Sequence, residues 1–124
     1  MSERNKKCLS FPVLGDQKGH MYKFMKGNTD GQVLLNDVAG GACVGVLDTV
    51  DGDATGKVVP IAYEGVVRVL LGATVAKMAL VASTNAGLAT TATGGDYVQG
   101  LCIVGGDSGD LGEVLLYQNA QLNA

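Results

Sequence analysis

The sequence predicts an all-β protein, a compact barrel or sandwich of about eight short strands joined by Gly-Asp hairpin turns. The 124 residues suffice for one modest core, and 47% of them are hydrophobic although only 5% are aromatic. Val, Leu, Ala and Ile therefore supply the apolar mass, and β-branched runs of this kind favour strands. The 19 glycines indicate many tight turns between those strands.

Strands are predicted wherever a short run of Val, Leu or Ile stands between Gly- or Asp-rich breaks. After one possible strand at residues 21–25, they fall near residues 32–36, 42–48, 56–62, 65–71, 78–82, 87–91, 97–104 and 111–118. The turns fall at residues 37–41, 51–56, 94–96 and 105–110. Residues 73–82 also fit one or two helical turns, because Ala and Met favour a helix there.

A weak internal repeat supports the hairpins. The first copy runs through residues 45–59 and the second through residues 100–115, each with a strand, a Gly-Asp turn and another strand. Glycine supplies the positive φ of a tight turn, and aspartate caps the turn through its side chain. Both copies therefore predict strand–turn–strand units; chance similarity in a Gly- and Val-rich chain is the other interpretation.

The first 30 residues differ from the rest in charge and in periodicity. Residues 1–26 hold six bases and two acids, a net charge of +4, whereas residues 27–124 hold three bases and ten acids, a net charge of −7. We therefore divide the chain into a basic, extended N-terminal arm at residues 1–30 and a β body at residues 31–124. A basic arm indicates docking on an acidic surface, and a solvated terminus is the alternative.

Apolar residues stand among the bases of this arm, whereas a freely solvated tail has few of them. This combination predicts that the arm docks on a neighbouring protein. The predicted contact residues are Arg4, Lys6, Lys7, Leu9, Phe11, Val13, Met21, Tyr22 and Phe24.

The three cysteines, Cys8, Cys43 and Cys102, are too few and too scattered for a disulfide framework, and they suit a reducing cytosol. Residues 1–7 are charged but no apolar stretch follows them, so no secretory signal is expected. No apolar run is long enough to span a membrane. Nucleic acid is not an expected partner either, because the acidic body repels phosphates.

One motif matches the surroundings of the nucleophile in chymotrypsin-like proteases. It is Gly106-Asp107-Ser108-Gly109, and His20 is the one histidine of the chain. That protease fold needs two barrels, about twice this length, and its triad requires a base held in a defined geometry. A single histidine in a basic arm is a poor candidate for that base. We expect no catalytic residues and no enzymatic activity.

Phosphate and metal motifs fail on spacing. Residues 52–57 have three residues between their glycines where a phosphate loop has four, and Val58 stands where that loop needs Ser or Thr. A calcium loop counted from Asp51 has Ala62 instead of a bidentate Glu at its twelfth position. Loose calcium binding between subunits stays an alternative. The cysteines and the histidine lack paired zinc spacing, so we expect no metal and no cofactor.

A biotin- or lipoate-carrying domain is the main alternative function. Residues 59–61, 65–69 and 76–78 resemble such carriers, in which a lysine at a hairpin tip is modified. Biotinyl carriers have Met on both sides of that lysine, whereas Ala76 precedes Lys77 here. The hairpin predicted at residues 94–118 has no place in a carrier. Another β-rich virion module or a glycan-binding module is a further alternative.

Residues 64–118 together resemble a known family. In order they read Glu64-Gly65-Val66-Val67-Arg68-Val69, Gly72-Ala73-Thr74-Val75, Leu80-Val81-Ala82-Ser83, Thr93-Gly94-Gly95-Asp96, Val98-Gln99-Gly100-Leu101 and Gly109-Asp110-Leu111-Gly112-Glu113-Val114-Leu115-Leu116. This order resembles the small capsid decoration, or cement, proteins of tailed bacteriophages, often known only as a domain of unknown function. The resemblance covers a little under half of the chain. The basic N-terminus has no match in the family, and Cys102 departs from its small or aliphatic residue.

The resemblance implies a structural protein that binds the outer surface of an assembled capsid, commonly as homotrimers at three-fold or quasi-three-fold positions. The implied partners are the major capsid protein and further copies of the chain, with no nucleic acid, membrane or small-molecule substrate. The implied location is the outer surface of the virion, after synthesis in the bacterial host cytoplasm. A β body without convergent catalytic groups agrees with this role, because it offers contact surface.

Overall fold

The computed structural model describes residues 6–121, with side chains up to Leu116. Nine strands form this part of the chain: β1 (Lys7–Pro12), β2 (Phe24–Gly27), β3 (Val33–Leu35), β4 (Gly45–Leu47), β5 (Val58–Leu70), β6 (Leu80–Ser83), β7 (Ala89–Thr91), β8 (Tyr97–Val104) and β9 (Leu111–Gln121). The all-β prediction is confirmed. Since residues 6–121 form no helix, none of them belongs to a helix that could cross a membrane.

The strands pair antiparallel in the order β3-β2-β4-β5-β9-β8-β6-β7, with β1 paired to β5. This sheet consists of two half-barrels that share β5. The first half-barrel contains β1 to β4 and the first half of β5; the second contains the rest of β5 and β6 to β9. Each curls back on itself, because Val13 bridges Val33 of β3 and Leu71 bridges Ala89 of β7.

Strand β5 is one long strand where the sequence predicts two, at residues 56–62 and 65–71. Gly65 lies between them with a φ of 96°, a conformation that glycine adopts without steric cost. The strand therefore continues through Gly65 and exchanges its partners β1 and β4 for β9.

The second half-barrel repeats the first, with β1 to β5 corresponding to β5 to β9. Equivalent residues pair in the same register, except at Lys7, which pairs with Glu64 across an irregularity that the β5–β9 pair lacks. The pairs Cys8–Ala62, Phe24–Val46, Val46–Ala62 and Met25–Leu35 correspond to Val66–Leu115, Leu80–Leu101, Leu101–Leu115 and Val81–Thr91. The repeat predicted at residues 45–59 and 100–115 is confirmed for its first strand, because Val46 and Leu101 are equivalent. Its second strand is aligned three residues out of register, since Leu115 corresponds to Ala62 and not to Val59. The structural repeat extends over both half-barrels.

Unusual backbone conformations recur at equivalent positions of the repeat. Among the described residues, Tyr22 and Met78 are the non-glycine residues with a positive φ, at 71° and 72°. Tyr22 donates its N–H to the Leu47 carbonyl at 2.9 Å, and Met78 donates to the Cys102 carbonyl at 2.7 Å. A left-handed residue with a side chain costs about 1–2 kcal/mol. The same hydrogen bond thus offsets the same strain in both copies.

Gly45 of β4 and Gly100 of β8 are a second equivalent pair. A Cβ atom on Gly45 would collide with the carbonyl oxygen of Ala62, and one on Gly100 would collide with that of Leu115. Glycine in a strand often marks such a close approach of a neighbouring backbone. The glycine that opens each copy of the repeat is therefore required by strand packing.

Two clusters of buried side chains form the core. The smaller cluster lies inside the first half-barrel and consists of Val13, Met25, Val33, Leu47, Val59 and Ile61. The larger cluster fills the second half-barrel and also includes Phe24, Cys43, Val46 and Ala62 of the first. The outer face of the first half-barrel thus completes the core of the second, and the two are packed as one unit.

A buried polar contact also joins the half-barrels. The Asn36 side chain is 1% exposed, and its Nδ2 donates hydrogen bonds to Ser83 Oγ and to the Val38 carbonyl, both at 2.8 Å. The Gly40 N–H donates to the Ser83 carbonyl at 2.8 Å. Within residues 6–116, no buried side-chain N or O atom lacks a partner, so this junction carries no desolvation penalty from unpaired groups.

The described part of the predicted N-terminal arm lies within the sheet. Strand β1 is extended, as expected of the arm, but it pairs with β5 over six positions, and β2 pairs with β3 and β4. Residues 6–30 therefore supply two strands of the first half-barrel, and the folded body includes both. Residues 1–5, with the predicted contact residue Arg4, lie outside the described residues.

The helical alternative for residues 73–82 is wrong. Val75 forms an antiparallel bridge with Gly106, and a turn follows in which the Ala79 N–H donates to the Ala76 carbonyl at 3.2 Å. Strand β6 then begins at Leu80. These bonds across the sheet occupy backbone groups that a helix would need for its own hydrogen bonds.

Candidate functional site

The motifs that resemble catalytic sequences fold into turns. In residues 106–109 the Asp107 N–H donates to the Asp110 carboxylate at 2.9 Å, while Ser108 is exposed. His20 lies in a turn before β2, with Nδ1 3.4 Å from Lys23 Nζ. Partial burial and the Lys23 charge lower the pKa of His20. His20 and Ser108 therefore belong to turns of different half-barrels, each with local contacts.

The acidic loop between β4 and β5 is bonded to side chains of its own chain. Lys6 Nζ lies 2.7 Å from Asp48, and Lys57 Nζ lies 3.4 Å from Asp53. The Thr49 hydroxyl lies 3.5 Å from the Asp51 carboxylate. Across the described part of the chain, His, Cys, Asp and Glu side chains do not gather in threes as metal ligands do. These carboxylates stabilise the loop.

The apolar residues predicted as partner contacts are mostly covered by the fold. Val13 is completely buried in the core of the first half-barrel, and Phe24 is completely buried in that of the second. Phe11, Met21 and Tyr22 are half-buried. In this structure Val13 and Phe24 are core residues, because their strands belong to the sheet, and their side chains are not accessible to a partner.

The remaining predicted contacts that the structure describes, Lys6, Lys7 and Leu9, lie on β1 or just before it. The Lys6 side chain is 17% exposed and bonded to Asp48. The Lys7 side chain is 63% exposed, with Nζ 3.8 Å from Glu64. Leu9 is 52% exposed. Lys7 and Leu9 are thus the members of the predicted set that are most accessible to a partner in the described chain.

The charge asymmetry of the sequence is partly met within the chain itself. Within the described part of the chain, three ion pairs join bases of the N-terminal segment to acids of the body. They are Lys6–Asp48 at 2.7 Å, Lys7–Glu64 at 3.8 Å and Lys26–Asp37 at 2.6 Å. The hydrogen bond and charge of Lys26 lower the pKa of Asp37. The basic segment therefore docks on the acidic body to which it is joined.

The outer face of the second half-barrel carries an apolar row of four residues. Directly paired residues of neighbouring strands face the same side of a sheet. Val66 pairs with Leu115, Leu115 pairs with Leu101, and Leu101 pairs with Leu80. Leu80 is 37% exposed, and the other three are half-buried outside both core clusters. We call these four residues the outer row.

Further apolar side chains extend this face. Leu111 pairs with Leu70, and Val104 pairs with Glu113, on the same side of the sheet as the outer row. Val104 is 46% exposed and Leu111 is 44% exposed. The charged pair Arg68–Glu113 lies between these residues and the outer row on the same face, so the contiguous apolar set is the outer row itself. Isolated exposed apolar residues need no explanation, but such a contiguous set indicates an interaction surface.

Most of the equivalent row of the first half-barrel is covered. Three of its four members, Phe24, Val46 and Ala62, are at most 1% exposed and belong to the core cluster of the second half-barrel, whereas the fourth, Cys8, is exposed. The contrast follows from position in the chain. The first half-barrel packs its row against the second half-barrel, whereas residues 6–121 form no third half-barrel against which the outer row could pack.

The opposite end of the molecule shows the complementary contrast. Leu9 and Gly31 are exposed, whereas their repeat equivalents Val67 and Gly87 are buried. A Cβ on Gly87 would lie 2.9 Å from the Phe24 carbonyl oxygen, but nothing lies within 4 Å of one on Gly31. We call Leu9 and Gly31 the open rim. The chain thus has the outer row at one end and the open rim at the other. Their repeat equivalents belong to the two sides of the internal junction.

These features define a class: a duplicated β half-barrel with exposed apolar side chains at both ends. No protein-family model and no curated protein sequence matches the chain. Among solved structures, the chain is similar to the N-terminal base of the head fibre protein gp8.5 of bacteriophage phi29, with a TM-score of 0.69 at 13% identity. The match covers 95% of this chain and 100% of that chain, so the fold is shared over almost the whole length.

The sequence-based contact set includes part of the open rim but not the outer row. Leu9 is among the residues predicted from the sequence, whereas Leu80 and Leu101 are assigned only to strands. The internal repeat carries the signal that finds them, because it aligns Leu101 with Val46. An apolar residue that is partly exposed, although its repeat equivalent is buried at the internal junction, indicates a surface suited to a similar contact.

Proposed function

We propose that this chain is a structural protein of a tailed-bacteriophage head, which binds the outer surface of the assembled capsid and stabilises it. The observation that carries the proposal is the fold shared with the phi29 head fibre base over 95% of the chain. The resemblance of residues 64–118 to capsid cement proteins supports the same location on the virion.

The proposed partners are the major capsid protein and further copies of the chain, as homotrimers at three-fold or quasi-three-fold positions. A shell presents identical surfaces around such axes, so a trimer multiplies the weak contacts of one subunit. We propose neither catalysis nor binding of nucleic acid, membrane or small-molecule substrate. The apolar faces and the structural turns of the described chain support a role in protein contacts.

We assign the capsid contact to the start of β1, centred on Lys7. The ion pair between Lys7 and Glu64 spans 3.8 Å between two side chains more than half exposed. Such a surface pair contributes about 0–1 kcal/mol, so little is lost when the lysine bonds an acid of a partner. Rim charges of this kind act mainly on association and make it sensitive to salt.

The test is co-sedimentation of the purified protein with capsids that lack it. We expect the wild-type chain to bind and Lys7→Glu to bind several-fold more weakly at low salt, because the sign of a rim charge is reversed. Lys57→Glu is the matched control, since Lys57 is also a half-exposed lysine in an ion pair, and it should bind as the wild type does. Absence of wild-type binding would refute the proposed function.

Intact mass measured on the same preparation tests the carrier alternative. Lys77, the lysine that a carrier modifies, is exposed between β5 and β6. We expect the unmodified mass. An increment equal to biotin or lipoate on Lys77 would favour a carrier domain over a capsid protein.

A further inference from the structure

We infer that the outer row of one copy packs on the open rim of another, so that copies join head to tail. The contact between two chains has the same form as the junction that each chain makes between its own two half-barrels. The inference depends on the proposed function for the number of copies, which is three. The surfaces themselves are derived from the internal repeat.

The internal junction shows what such a contact consists of. Phe24, Val46 and Ala62 of the first half-barrel insert into the core of the second. Val67 is buried in the same cluster, and the Phe24 backbone lies close to that of Gly87. The Phe24 N–H donates a hydrogen bond to the Gly87 carbonyl at 2.7 Å. The internal junction therefore combines an apolar row with this backbone hydrogen bond and with the contacts of Asn36 and Gly40 to Ser83.

The two uncovered surfaces are the repeat equivalents of this junction. The outer row corresponds to the inserting row, and the open rim corresponds to the surface that receives it. A second copy of the chain presents both, so it is the occupant that fits either surface. By the same equivalence, the Leu80 N–H of one copy is placed to donate to the carbonyl of the partner's Gly31, as Phe24 donates to Gly87.

Side-chain sizes indicate that the contact between copies is shallower than the internal one. The first half-barrel has Met25 in its core where the second has Val81, so its interior is filled by larger side chains. The outer row has the smaller Leu80 where the inserting row has Phe24. The outer row therefore inserts less deeply than its internal equivalent, because the interior of the first half-barrel is filled by larger side chains. The contact between copies centres on Leu9 of the open rim.

A contact between two different surfaces is heterologous and generates a closed ring or an open filament. A ring of three copies covers every outer row and every open rim. A filament leaves one of each at its ends. We propose the ring, because it places the assembly on a three-fold axis as the proposed function requires.

The mass of the particle in solution tests the inference by sedimentation equilibrium. We expect the wild-type chain to have about three times its 12.7-kDa mass. Leu9→Asp on the open rim and Leu101→Asp on the outer row should each give the mass of one chain. Val38→Asp is the control, because Val38 is 53% exposed in the turn after β3 and belongs to neither surface, and it should keep the wild-type mass.

Mixing the two monomeric variants tests the head-to-tail order. Leu9→Asp retains an intact outer row and Leu101→Asp retains an intact rim, so the mixture should form a particle of two chains. A mixture that stays monomeric, or either variant keeping the wild-type mass, refutes the inference. Circular dichroism checks folding, and Leu80→Asp replaces Leu101→Asp if the latter unfolds, because Leu80 is more exposed.

The outcome is separable from that of the proposed function. If the wild-type chain is monomeric but sediments with capsids, the head-to-tail contact fails and the capsid role stands. If the chain forms the ring but no capsid binds it, the proposed function fails and the contact between copies stands.

Discussion

At the scale of single residues, the three cysteines show how surroundings set the chemistry of one side chain. Burial raises the pKa of Cys43 to about 12 and also raises that of Cys102. Cys8 is exposed, and its pKa is raised by partial desolvation and by the Asp48 carboxylate 3.9 Å away, while Lys6 acts in the opposite direction. A reagent can therefore reach Cys8, but the thiol reacts slowly at neutral pH because the thiolate is the reactive form.

We expect a thiol reagent to modify Cys8 in the folded protein and to reach Cys43 and Cys102 only after unfolding. The rate at Cys8 should keep rising above pH 9, because its pKa is raised from 9.0. Asp48→Asn removes a charge that raises this pKa, so modification at pH 8 should become several-fold faster. Kinetics with a chromogenic disulfide between pH 7 and 10 measure this, with Asp53→Asn as the control. A slower reaction of Asp48→Asn contradicts the assignment.

At the scale of strands, β-branched runs between Gly- and Asp-rich breaks predict the positions of most strands. Strand β1 escapes this reasoning, because Lys7–Pro12 has no run of β-branched residues and ends in proline, although Leu9 and Phe11 alternate with Ser10 and Pro12. Such a composition is tolerated because β1 pairs with β5 alone and four of its six residues are exposed. The sequence likewise does not predict that two of the expected strands form the single strand β5. Gly65 is typical of a turn unless the strands that pair before and after it are known.

Strand β1 should be essential to the stability of the body. Removal of residues 2–13 leaves one edge of β5 unpaired over Val58–Glu64 and takes the fully buried Val13 out of the core. We expect the thermal midpoint to fall by about 15 °C or more, since each 1 kcal/mol shifts it by several degrees in a domain of this size. Val38→Asp, at an exposed side chain in the turn after β3, is the control and should change the midpoint little. Circular dichroism melts measure both; equal midpoints would show that β1 adds little to the fold.

At the scale of the whole molecule, burial depends on the neighbour that a repeat finds. Val46 and Leu101 occupy equivalent positions and are similarly apolar, yet Val46 is 1% exposed in the core and Leu101 is half-buried outside it. Composition and periodicity cannot separate them, because the difference is created by packing between half-barrels. The sequence therefore predicts the strands and part of the repeat, while the contact surfaces emerge only from the tertiary arrangement.

The shared core predicts that the two half-barrels unfold together. Phe24 belongs to the first half-barrel but is fully buried in the core of the second, so Phe24→Ala removes contacts that stabilise both. We expect a loss of about 3–5 kcal/mol in unfolding free energy within a single denaturant transition. Val58→Ala, at a side chain 62% exposed, should change stability by less than about 0.5 kcal/mol.

Amide hydrogen exchange should show faster opening of β8 and β9 in Phe24→Ala, although neither strand is mutated, because their inner residues pack in the same cluster. Two separate transitions, or faster exchange confined to the first half-barrel, would contradict a common core.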